Sequence, residues 1–471
     1  MKKYLLAGTS AVALALTAGA ANAQSAPGKF DVKISGDAYF EGGYIKQTEN
    51  QNTAGITGAG SQTNGDFTNR FRLTVNPEAK ADNGLVYGAN VRIRANGGAG
   101  TVDGDRAYIY FTGAFGSLQA GVTAGPSDNT YVAYPMDWQM LGIYDAWRGY
   151  MPTTGATAAN ATTVSTTGSM VAGAAGTGAM AWGQFGTGSA TTVGTVASEG
   201  VQLLHSHDID TKLVYYTPRF GGSKPETGLQ GAISYTPHVG AAAAGDGGVS
   251  VNTGVSRSTT TGVAACSADS GLLQAASCQQ KTAFRDVYEL TANYKENFGG
   301  LMIKGSIGYE GGKAMSGAAA DNVGALGFYK YQDLKSIQAG LQVGFQDLVV
   351  GGGYVNNFNS GYRKQDSAQV KDYVSDMTSW NVGAQYTFGP AVVGVKYMQQ
   401  NDPGDLTIAG GRRLDTYGVG GMYTVAPGLR TGLEYTYFKA KSDISMNQSN
   451  TVDGSKKQSG NVILLRGVVS F

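Results

Sequence analysis

"SWNVGAQYTFGPAVVGVKYM", residues 379–398, reads as two runs of alternating side chains joined by a short connection at Gly389-Pro390. Successive residues of a strand point to opposite faces. One face of the first run carries Asn381, Gly383, Gln385 and Thr387, whereas the second run sets Ala391, Val393, Val395 and Tyr397 on a common apolar face. Two such runs about a tight turn make a β-hairpin. The pattern recurs in "RAYIYFTGAFGSLQAGVTAG", "TKLVYYTPRFGGSKPETGLQGAISYT", "VYELTANYKENFGGLMIKGSIGYE", "SIQAGLQVGFQDLVVGGGYV" and "DTYGVGGMYTVAPGLRTGLEYTYF". An aromatic stands at the start of five of these turns: Phe115, Phe220, Phe298, Phe345 and Phe388.

Working outward, six hairpins supply twelve strands. A further pair, "NRFRLTVN" and "NVRIRANG", is joined through "PEAKADNG", and the terminal runs "FDVKISGDAYFEGG" and "NVILLRGVVSF" bring the count to about sixteen. Short turns alternate with long polar connections at 43–66, 126 to about 205, 238–283, 311–332, 356–377, 399–412 and 440–459. An even strand count with short turns at one end and long loops at the other predicts an all-β fold, a transmembrane antiparallel β-barrel threaded from one side of a membrane. The phenylalanines then form an aromatic girdle at the short-turn interface.

Composition agrees. Gly 72 in 471 residues, with Tyr 27 and Phe 16, disfavours helix and suits strands with many turns. No stretch after the N-terminus approaches the roughly 18 to 20 apolar residues of a membrane-spanning helix. The N-terminal "MKKYLLAGTSAVALALTAGAANAQ" has the layout of a secretory signal, with Lys2 and Lys3, an apolar run and the small-residue site Ala21-Asn22-Ala23. Cleavage after Ala23 leaves residues 24–471 as one exported barrel domain with 33 basic against 34 acidic residues. That balance argues against a nucleic-acid partner.

Little points to catalysis. Three histidines, His205, His207 and His238, and no Gly-x-Ser-x-Gly elbow give no nucleophile–base set. The "HSHD" and "DGD" stretches read as wet loop and turn residues, so no metal and no cofactor is expected. Cys266 and Cys278 share a polar loop of an exported chain, which favours a local disulfide over two thiols.

The arginines decide the register of the second hairpin. Arg70, Arg72, Arg92 and Arg94 alternate with Phe71, Leu73, Val91 and Ile93. An arginine facing lipid near the midplane costs roughly 2 to 4 kcal/mol, so the four face the lumen. Arg106, opening the next strand, joins them.

Taken over essentially the whole mature chain, the sequence resembles the general porins of Gram-negative outer membranes. The resemblance rests on the signal peptide, "FDVKISGDAYFEGGY", the "FGSLQAGVTAG" arm before a long third loop, "LVYYTPRFGG" after it, and the terminal aromatic. It implies sixteen strands per barrel, a homotrimer, an inward-folded third loop and passive diffusion of ions and small hydrophilic solutes across the outer membrane. Phe471 matches the family's assembly signal, read by the barrel-assembly machinery. In the third loop, about 126–205, Asp128, Asp137 and Asp145 become carboxylates that face the arginine wall. Two departures stand out: the Pro-Glu-Phe-Gly motif of enteric members is missing after "VTAGPSDN", and a low-complexity insertion fills 151–200. The alternatives are a structural or adhesive barrel without a general pore and an outer-membrane lipid hydrolase.

Overall fold

A computed structural model describes residues 30–47, 64–96, 102–139, 210–239, 284–314, 332–360, 376–402, 412–442 and 456–471. The strands are β1 (Asp31–Gln47), β2 (Gly65–Lys80), β3 (Val86–Asn96), β4 (Val102–Gly113), β5 (Gly116–Thr123), β6 (Asp210–Tyr216), β7 (Phe220–Gly221), β8 (Gly228–Val239) and β9 (Phe284–Phe298). The second half supplies β10 (Leu301–Ala314), β11 (Leu334–Phe345), β12 (Leu348–Phe358), β13 (Met377–Phe388), β14 (Ala391–Asp402), β15 (Arg412–Ala426), β16 (Leu429–Ser442) and β17 (Lys456–Ser470).

Every neighbouring pair is antiparallel, and β1 pairs with both β2 and β17, so the sheet closes on itself. Both β6 and β7 pair with β8, which makes them one stave and gives a sixteen-stave barrel. Pro218 lies in their gap. A proline has no N–H for the ladder, and Arg219 bridges the break by donating to Gly228 O at 3.0 Å and Asn293 Oδ1 at 2.6 Å.

The exterior is apolar, as a lipid-facing barrel requires. Ile337, Leu341, Val343, Val393 and Val395 all point outward and are exposed to the surroundings. The five turn phenylalanines are 44% to 57% exposed and stand at the short-turn end, where a girdle belongs. Tight turns follow from local chemistry: Gly299 and Gly300 take φ 60° and 102°, the positive values that a two-residue hairpin demands.

Strands run further toward the long-loop end than alternation alone indicates. β1 continues to Gln47 and β17 begins at Lys456, and eleven residue pairs, from Asp37↔Ser470 to Gln47↔Gly460, close the barrel. Polar rim residues such as Lys46 and Lys457 continue the ladder, because hydrogen bonding does not require an apolar face.

Candidate functional site

Arginines line one inner wall. In register Arg72 opposes Arg94, and Arg92 opposes Arg106, while Phe71, Val91, Ile93 and Ile109 point outward and are exposed. Directly opposed like charges repel by roughly 0.8 kcal/mol at 5 Å even in water, so carboxylates must be near. Asp37 on β1 accepts from Arg70 Nη2 at 2.9 Å. Asp128 accepts from Arg106 Nη2 at 3.4 Å.

The arginine wall continues where sequence reading had not carried it. Arg466 on β17 forms a buried ion pair with Glu41, its cross-strand partner at the barrel seam. The guanidinium of Arg466 lies 4.6 Å from the ring centroid of Tyr39, and that of Arg70 lies 5.0 Å from the same ring. Tyr39 therefore sits between two cations, an arrangement in which the ring's negative face attracts each.

Asp128 comes from the third loop, which turns inward immediately after β5. Gly125 stands against Glu289 of β9 so closely that any Cβ would overlap the carboxylate. The short helix α1 (Pro126–Thr130) follows, and Glu289 accepts from Ser127 N–H at 3.2 Å and Ser127 Oγ at 2.8 Å. Asn129 Nδ2 donates to Tyr216 OH at 2.8 Å.

Beyond α1 the chain runs across the inner faces of successive strands. Val132 N–H donates to Ser306 Oγ on β10 at 2.7 Å, and Gln342 of β11 donates to Ala133 O at 2.9 Å. Tyr134 N–H donates to Asn381 Oδ1 and Asp137 N–H to Gln385 Oε1, both on β13 at 3.0 Å. Gln385 Nε2 returns a bond to Asp137 Oδ2 at 2.7 Å.

Glycines make room for this path. A Cβ on Gly340 would overlap Val132 O, one on Gly394 would overlap the Trp138 indole, and one on Gly420 would stand 3.0 Å from the other edge of that indole. Trp138 is 1% exposed and Tyr134 equally so. Lys396 Nζ lies 5.5 Å from the Tyr134 ring centroid and 3.3 Å from its hydroxyl. The strand glycines, which weaken a sheet intrinsically, here admit a second layer of backbone.

Positions read from sequence fall into three groups. Arg70, Arg72, Arg92, Arg94, Arg106 and Asp128 come together on one side. Asp137 instead lies against β13, where Asn381 and Gln385, on the polar face of the strand, bind loop backbone. Asp145, Cys266 and Cys278, with His205 and His207, lie outside the described residues.

Sequence reading missed Arg466, Lys396 and Glu289. Arg466 stands in "NVILLRGVVS", where both faces are apolar: Val462, Leu464 and Val468 are buried, while Ile463, Leu465 and Val469 are exposed. Alternation carries no sidedness there.

Known proteins were compared with this architecture. A family model described as Gram-negative porin matches residues 9–443. Outer-membrane OmpT of Vibrio cholerae in its trimer form is 12% identical, with a TM-score of 0.46 over 94% of this chain and 99% of that one. The anion-selective porin of Comamonas acidovorans is 14% identical, with a TM-score of 0.48 over 94% and 100% of the two chains. No curated protein sequence matches. With sixteen staves, a closed seam, an apolar exterior and a family match over most of its length, the chain belongs to the Gram-negative porins.

Proposed function

We propose that the arginine wall and the inward segment 126–139 form the constriction of a passive diffusion pore for ions and small hydrophilic solutes. The chain is an outer-membrane porin, and barrels of about sixteen strands leave an aqueous channel that small barrels do not. The observation that carries the constriction is the hydrogen-bonded course of residues 125–139 along the inner faces of β9 to β13, starting beside Arg106. Cations concentrated on one side of a narrow, partly desolvated passage order water and favour anions. Solutes cross by diffusion, without covalent chemistry.

The finer features follow the family. Residues 1–23 act as a cleaved signal peptide, residues 24–471 form the barrel, three barrels assemble as a homotrimer in outer-membrane lipid, and Phe471 serves as the signal for assembly. Cys266 and Cys278 form a disulfide in the fourth long loop, which non-reducing peptide mapping decides.

Liposome swelling tests the pore. Proteoliposomes carrying the refolded chain should swell in small sugars at rates that fall with solute size, and vesicles as tight as protein-free controls would defeat the reading.

A further inference from the structure

Lys295 of β9 and Lys304 of β10 are partners in register, one step from the pair Asn293 and Ser306 on the same inner face. Lys304 is exposed and Lys295 half-buried. Like charges directly opposed across two strands repel, yet among the described residues neither ammonium has a carboxylate partner. Glu296 points to the other face by alternation, and its carboxylate accepts from Ser223 N–H at 2.8 Å and Ser223 Oγ at 2.7 Å. The inward carboxylates of these strands, Glu289 and Glu310, stand six residues farther from the short turn, about 20 Å along the strand.

A third cation joins the two. Gly228 pairs with Lys295 in register, and Arg219 donates to Gly228 O at 3.0 Å, to Gln230 Oε1 at 3.0 Å and to Asn293 Oδ1 at 2.6 Å. All three acceptors are neutral, so they fix the guanidinium without compensating its charge. Lys304 also pairs with Gln342, which holds Ala133 O, and Ser306 holds Val132 N–H. The cluster therefore lies beside the inward segment, on its short-turn side, while Asp137 of that segment is engaged by Gln385 on β13. Lys304 is three residues from Leu301 at the short turn, whereas Arg92, Arg106 and Arg72 are six to eight residues from Val86, Gly113 and Lys80. This sets the cluster about 10 Å nearer the short-turn mouth than the arginine wall.

We infer that Arg219, Lys295 and Lys304 hold a doubly charged oxyanion of the phosphate type between the constriction and the short-turn mouth. One dianion relieves both opposed ammonium groups at once, which a single monovalent anion does not, and the fixed guanidinium adds a third charge suited to phosphate oxygens. The inference rests on the lumen being the aqueous pore proposed above.

Single-channel chloride current at about 0.01 M salt, where screening is weak, tests this with inorganic phosphate as blocker and nitrate as the monovalent control. A pH of about 8 keeps phosphate doubly and lysine singly charged. Phosphate should block at a concentration at least about tenfold below nitrate, and Lys295→Ala with Lys304→Ala should raise its half-blocking concentration roughly tenfold while chloride current persists. Lys304→Ala alone, at an exposed position, should give an intermediate rise, and Lys295→Arg with Lys304→Arg should keep the block. Calorimetry of phosphate with the full chain in detergent should show the same order, so a chain that binds phosphate in this order but conducts no chloride would defeat the pore and support the site. Equal block by phosphate and nitrate, or an unchanged half-blocking concentration in the double alanine variant, would overturn the inference. So would a block lost in Arg70→Ala with Arg72→Ala but retained in the lysine variants, which would assign the anion to the arginine wall.

Discussion

Gly36 and Phe471 exchange two backbone hydrogen bonds, Gly36 N–H to Phe471 O at 2.7 Å and Phe471 N–H to Gly36 O at 3.0 Å, so the last residue of the chain extends the seam of the barrel. The Phe471 ring then lies over Gly36, where a Cβ would stand 2.7 Å from Cζ, and 6.1 Å from the Phe71 ring centroid. Deleting Phe471 removes both bonds and the ring contact, a loss of roughly 1 to 3 kcal/mol from the hydrogen bonds alone. The expected result is less folded, heat-modifiable protein in outer membranes with export intact, and Gly36→Val should act in the same direction. Equal surface-exposed yield from the truncated chain would count against this.

The Glu41–Arg466 pair gives a second prediction. Both side chains are buried, so removing one partner strands the other charge at a cost of about 3 to 5 kcal/mol. Arg466→Met should therefore lower the urea midpoint of the refolded protein sharply, whereas Arg466→Met with Glu41→Gln should recover much of the loss. Additive effects of the two substitutions would show that the pair is not coupled.

Trp138 is the far anchor of the inward segment. Replacing a fully buried tryptophan by alanine costs roughly 3 to 5 kcal/mol of local packing, here spent on holding the loop rather than on closing the barrel. Trp138→Ala should leave heat-modifiability unchanged while raising single-channel conductance and open-channel noise. Gly394→Leu, which fills the space under the indole, should do the same. Wild-type conductance in both variants would place the segment away from the constriction.

Much of this was legible in the sequence, for identifiable reasons. Hairpins such as 379–398 combine period-two alternation with a turn, and the lipid solvent outside enforces the apolar face. The lumen-facing arginines follow from the same cost. Less legible was anything set by contacts between distant segments. Gly340, Gly394 and Gly420 look like ordinary turn-prone or weak strand residues until loop residues Val132 and Trp138 lie on them. Asp137 carries the same charge as Asp128, and only the loop's path sends one to β13 and the other to Arg106. Arg466 was hidden because its strand is apolar on both faces.

The most direct measurement is the reversal potential across a planar bilayer in a salt gradient, taken at about 0.01 M, where the screening length is about 30 Å. Combining Arg70→Ala, Arg72→Ala, Arg92→Ala and Arg94→Ala should enlarge the conductance and move the reversal potential toward cation preference. A reversal potential identical to wild type at that salt would mean that the arginine wall does not govern the passage of ions.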